Sequence, residues 1–122
     1  MNLFLNTNVI LYFLGGDKKI IKLISSANCL VTSFISEIEL FSYDVNEQEA
    51  QSIKEFLDKI EILYPDKETV KKTVEIRKNT HLKIPDAIIA AQAQQINFIL
   101  ATADKEILDK VEDIPTIDPY EN

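Results

Sequence analysis

The sequence predicts an α/β fold, a mainly parallel central sheet of four to five short strands flanked by helices in an α/β/α sandwich. Three observations carry this reading. Short apolar runs alternate with amphipathic ones along the whole chain. The runs Leu3 to Leu5 and Phe98 to Leu100 lack a polar face, as strands covered on both sides require. The 122 residues are 46% hydrophobic and 27% charged, enough for one core but, at roughly 150 residues per domain, too short for two. Residues 1–122 are therefore read as a single domain.

Leu3 to Leu5 is the first predicted strand. Asn8 to Leu14 is apolar enough for either strand or helix, and the Asn6-Thr7-Asn8 step before it favours strand, turn, helix, because Asn and Thr cap helices well. Gly15 and Gly16 read as the stop. Asp17 to Ser25 carries Ile20, Ile21 and Ile24 at helical spacing, Cys29 to Thr32 is a second strand, and Ser33 to Tyr43 is a helix with Ile35, Ile38 and Phe41 along it. Asn46 followed three residues later by Glu49 makes a capping box, ahead of the stripe Ala50, Ile53, Phe56, Leu57 and Ile60. Ile60 to Tyr64 is a strand ended by Pro65, and Asp66 caps a helix running to about Lys78. Pro85 opens a helix to Gln95 whose Ala87, Ala90, Ala91 and Ala93 permit close packing. Phe98 to Ala101 is a buried strand, Asp104 to Val111 a short helix, and Pro115 to Ile117 a last edge strand.

Thirteen basic and twenty acidic side chains give a net charge of −7, so no global positive field draws the molecule to nucleic acid or anionic lipid; any such contact is local. Lys67, Lys71, Lys72, Arg77 and Lys78 share one helix, as a phosphate contact or simply as a solvated face. Cys29 and His81 are each the only one of their kind, which removes disulfides, zinc fingers and Cys-His nucleophiles and leaves carboxylates, amides and hydroxyls for chemistry. No basic leader precedes the first apolar run, and nothing approaches the ~18 apolar residues of a membrane span, so a cytoplasmic protein without a membrane partner is expected.

In such sheets ligands gather beyond the carboxyl ends of the strands. Asn6, Thr7 and Asn8 follow the first strand, Thr102 and Asp104 follow Phe98 to Ala101, Glu37 and Glu39 lie on the helix after the second strand, and Asp86 lies in the first turn of the Ala-rich helix. Each has a plain structural use. Asp86 complements a helix dipole and Asp104 caps a helix. Glu37 and Glu39, two residues apart, cannot share a helix face, so at most one faces a common site, and spacing leaves open which.

Four segments in order resemble the PIN domain family, and within it the small VapC-like toxins of toxin-antitoxin pairs. They are Leu5-Asn6-Thr7-Asn8 with the apolar run after it, Ile35-Ser36-Glu37-Ile38-Glu39-Leu40, Ile84-Pro85-Asp86-Ala87, and Thr102-Ala103-Asp104. The resemblance spans essentially the whole chain. It implies an endoribonuclease dependent on Mg²⁺ or Mn²⁺, hard cations that suit oxygen ligands. It further implies that Glu39, Asp86 and Asp104 are metal ligands, with Asn8 and Thr102 orienting them. An RNA substrate, a cognate antitoxin and a homodimer, with Phe13, Phe34 and Phe41 as interface or core residues, follow from the same likeness.

One position departs from the pattern. Asn6 stands where the family has its leading Asp, so four carboxylates become three and activity is expected to be low or absent. Either the natural site is silenced or altered, or an Asp has been exchanged for Asn. A PIN-like scaffold that binds antitoxin or RNA without cleavage is the alternative. A receiver-like or phosphatase-like domain with an Asp nucleophile after the first strand is disfavoured by the same Asn6.

Overall fold

The computed structural model describes residues 1–121. The elements run β1 (Asn2–Leu5), α1 (Thr7–Leu14), α2 (Lys18–Ser25), β2 (Cys29–Ser33), α3 (Phe34–Phe41), α4 (Glu47–Asp58), β3 (Glu61–Leu63), α5 (Lys67–Thr80), α6 (Ile84–Gln95), β4 (Ile99–Ala101), α7 (Lys105–Lys110) and β5 (Thr116–Ile117). The strands form one sheet in the order β3-β2-β1-β4-β5, parallel at every pairing. The expected α/β/α sandwich is what the chain forms, and the open stretch after Asn6 is helix.

Alternation in β1 builds both layers. Leu3 and Leu5 face one side, packing with Val9, Ile10, Ile20, Ile24, Leu40, Ile53 and Leu57. Phe4 faces the other, where Val31, Leu82, Ala87, Ile89, Ala90, Ala93, Leu100 and Ile107 surround it. The small residues of α6 sit in this second core, fully buried, which is the close approach their size allows. Boundaries differ from the sequence reading by a residue or two at most ends. Ser33, for instance, closes β2 and then caps α3 by accepting from the Ile35 amide at 3.0 Å. Gly16, at φ +84°, makes the turn between α1 and α2 in a backbone region other residues rarely enter.

The capping box forms as expected. The Glu49 amide donates to Asn46 Oδ1 at 2.8 Å and the Asn46 amide to Glu49 Oε1 at 3.4 Å. Asn46→Ala is therefore expected to cost about 1 kcal/mol of stability, read by urea unfolding.

The strand order sets where chemistry can occur. Chain connections to β2 and β3 run to one side of β1 and those to β4 and β5 to the other, so β1 and β4 flank the switch point at which crevices open beyond the carboxyl ends.

Candidate active site

Asn6 leaves β1 at that switch point and becomes the N-cap of α1. Its Oδ1 accepts from the Thr7 amide at 2.9 Å, its backbone N–H donates to Ala101 O at 3.0 Å, and its Nδ2 donates to Thr102 Oγ1 at 2.8 Å. Thr102 is fully buried at the end of β4, and its Oγ1 also accepts from the Asp104 amide at 3.0 Å. One hydroxyl thus joins the first strand's end to the fourth's across 96 residues. Asn8, the second residue of α1, accepts from the Ala103 amide at 3.4 Å, and no hydrogen bond joins its side chain to a carboxylate among the described residues.

Glu37 and Glu39 part company, as their spacing requires. Tyr64 Oη donates to Glu37 Oε1 at 2.8 Å, drawing that carboxylate toward β3. Glu39 Oε1 accepts from Thr7 Oγ1 at 2.6 Å, and Thr7 Oγ1 is also 2.8 Å from the hydroxyl of fully buried Ser36. Thr7 and Ser36 were not legible as site residues. Thr7 reads locally as part of a cap, and only the packing of α1 on α3 turns its hydroxyl toward Glu39.

Asp104 serves as the cap expected of it, Oδ1 accepting from the Glu106 amide at 2.9 Å and the Ile107 amide at 3.4 Å. Asp86 sits in the first turn of α6 with no hydrogen bond to its carboxylate among the described residues. Burial, then the charge of Asp104, then that of Glu39 hold the Asp86 carboxyl above its ordinary value, against a weaker pull from Lys83. A helix N-terminus favours an anion by about 0.3–1 kcal/mol, so burial and like charge outweigh it here.

Asn6, Thr7, Asn8, Leu11, Glu39, Tyr43, Asp86 and Asp104 line one cleft of about 160 Å³. The structure thus brings together Asn6, Asn8, Glu39, Asp86 and Asp104, with Thr102 directly behind, and leaves Glu37 outside. The acids are spread around the cleft rather than closed on a point; among the described residues no three of His, Cys, Asp and Glu form a ready metal cage. A larger cavity of about 750 Å³ lies between α5, the start of α6 and Phe34, lined mainly by apolar side chains with Arg77, Lys78 and His81 and by no acid.

A family model described as PIN domain matches residues 3–114. No curated protein matches the chain. Solved structures do. A toxin-antitoxin complex from Klebsiella pneumoniae matches with a TM-score of 0.84 and 24% identity, covering 100% of both chains. VapBC-1 from nontypeable Haemophilus influenzae matches at 0.82 and 25% identity, covering 99% of this chain and 100% of that one. VapBC2 from Rickettsia felis, bound to a promoter DNA fragment, matches at 0.80 and 19%, over 96% and 98% of the two chains.

Proposed function

The chain belongs to the PIN domain family, and on that premise we propose that it is an endoribonuclease of the VapC toxin type, dependent on Mg²⁺ or Mn²⁺ and held to low activity by Asn6. The observation that carries this reading is the shared cleft of Asn6, Glu39, Asp86 and Asp104, in which like charge and burial keep the Asp86 carboxyl raised. Clustered acids without a balancing base are unfavourable unless something cationic joins them.

The donor set fits a hard cation. It is oxygen throughout, with no imidazole or thiolate, and its spread suits Mg²⁺, which keeps several waters and takes one or two carboxylates. Asp86, Asp104 and Glu39 would hold the ion, directly or through water. When bound, it would supply Lewis-acid charge to activate water and to offset negative charge developing on a phosphodiester. The chain's own residues do the positioning. Thr7 fixes one oxygen of Glu39, Thr102 fixes the start of the Asp104 turn, and the cap on Oδ1 leaves Oδ2 of Asp104 free for the cleft. Thr7→Val should keep the helix and lose the Glu39 contact, weakening Mn²⁺ binding by about tenfold, as measured by calorimetry.

Asn6 supports a second reading. Its Nδ2 is spent on Thr102 and its Oδ1 on the α1 cap, which leaves it a poor ligand. A scaffold that binds without cutting would then receive a partner's Arg or Lys among the acids in place of metal. RNA cleavage by the Asn6→Asp protein separates the two. EDTA-sensitive cutting supports the nuclease. A folded Asn6→Asp protein that neither cuts RNA nor binds Mn²⁺ refutes it, and tight antitoxin binding by both forms then selects the scaffold.

The relatives' complexes make an antitoxin the expected protein partner. Among the described residues no helix is long and apolar enough to cross a membrane. A homodimer is part of the same reading. Val70, Val74 and Ile84, between 47% and 61% exposed, line the α5–α6 cavity, with exposed Tyr64 beside Phe34 at its edge, an apolar face that a second copy could cover. Phe34 joins that face by stacking on Tyr64, whereas Phe13 packs against Phe56 at 5.1 Å and belongs to the core. Sedimentation equilibrium reads the stoichiometry, and a monomer at all concentrations removes the dimer from the reading.

A further inference from the structure

The last strand is short and lies at the sheet's edge, yet it touches the cleft's scaffold. β5 spans two residues, and the Thr102 amide donates to Ile117 O at 3.1 Å while the Leu100 amide donates to Pro115 O at 2.9 Å. A two-residue edge strand frays unless tied down. Here it is tied. After β5 the chain turns, with the Tyr120 amide donating to Asp118 Oδ1 at 2.9 Å and the Glu121 amide to Asp118 O at 3.2 Å. Tyr120 then reaches the α1–α2 corner. Its Oη donates to Asp17 Oδ2 at 2.9 Å and its ring meets the edge of Tyr12 with centroids 6.1 Å apart.

Asp17 is itself committed, its Oδ1 capping α2 through the amides of Lys19 and Ile20. The contacts close a ring. From Asn6 it follows α1 to Asp17, crosses to Tyr120, returns along β5 to Thr102, and ends at Asn6 Nδ2. We propose that this C-terminal segment is a clasp in which Tyr120 is a positioning residue: by tying β5 to the far end of α1 it holds Thr102, and through Thr102 the Asn6 and Asp104 corner of the cleft. Burial first, then the bond to Asp17, pushes the Tyr120 phenol up to about 12, so it keeps its donating proton at any physiological pH.

The inference rests on the proposed metal site only for its second readout. Tyr120→Phe removes one hydroxyl, and Asp17→Ser keeps a capping oxygen while losing the oxygen that Tyr120 reaches. In both, amide exchange at Thr102 is expected to quicken about 3- to 10-fold, the worth of one hydrogen bond. In the Asn6→Asp background both should weaken Mn²⁺ binding by a similar factor. Asn46→Ala serves as the comparison, because it lowers stability by a similar amount without touching the clasp: it sets the Thr102 exchange expected from global destabilisation alone, which the two clasp variants should exceed, and it should leave Mn²⁺ binding unchanged. Thr102 exchange no faster in both variants than in Asn46→Ala overturns the clasp, and so does faster exchange with unchanged Mn²⁺ affinity. Faster exchange in an Asn6→Asp protein that binds no Mn²⁺ supports the clasp and refutes the metal reading.

Discussion

Asn6→Asp is expected to raise Mn²⁺ affinity by at least tenfold and RNA cleavage by a hundredfold or more. The first figure follows from adding an anionic oxygen ligand, worth at least the ~10- to 100-fold that supporting residues of metal sites carry. The second follows because charge stabilisation in the transition state is where such sites gain most. Little else need move. An Asp at position 6 can accept from the Thr7 amide as Asn6 does, and can take a hydrogen bond from Thr102 Oγ1 in place of the one Asn6 Nδ2 now donates at 2.8 Å. The bond reverses direction while its geometry stands. Isothermal titration with Mn²⁺ and a single-turnover cleavage assay check the two figures.

Asp86→Asn is expected to trade function for stability. In the Asn6→Asp background it removes a carboxylate from the centre of the cleft, and cleavage should fall at least ~100-fold. Without metal, the same change should raise the thermal midpoint at pH 7 by ~2–4 °C. The sign follows from the direction of the pKa shift. The folded state holds the Asp86 proton more tightly than the unfolded chain does, chiefly through burial and then the charges of Asp104 and Glu39. The cost of the ionised group is therefore absent below the unfolded pKa, grows as pH rises through the window up to the raised folded value, and is complete above it. The advantage of Asp86→Asn should vanish when pH falls below the ordinary aspartate range. Saturating Mn²⁺ should reverse it at pH 7, since the ion binds the folded parent better. Calorimetric scans against pH, with and without Mn²⁺, check both. A parent and variant that melt together at pH 7 would show that the acids do not repel.

Much of this was legible in the sequence, for a physical reason. Local rules act over a few residues, and they governed Asn46 with Glu49, Asp66 before α5, Asp104 before α7 and the alanines of α6. Which elements join was legible only through the rule that parallel strands open their crevices at one edge. The choice between Glu37 and Glu39 was not, because it depends on Tyr64 and Thr7, 27 and 32 residues away. Asn8, expected to orient the acids, accepts from the Ala103 amide beside Asp104, while the buried hydroxyls of Thr7 and Ser36 support Glu39. Short polar side chains look alike in a sequence. Tertiary contacts decide which are turned inward.

Because β1 occupies mid-sheet, it waits during synthesis for a partner strand made much later. Leu3 pairs with Ile99 and Leu5 with Ala101, each pair 96 positions apart in sequence. Such long-range pairing slows folding, since the loop entropy is spent before contact is rewarded. A nascent chain halted before β4 holds Glu39 and Asp86 but neither Thr102 nor Asp104, so the cleft cannot close until those residues have been made. The full set of cleft residues therefore stays unassembled until that distant pairing forms.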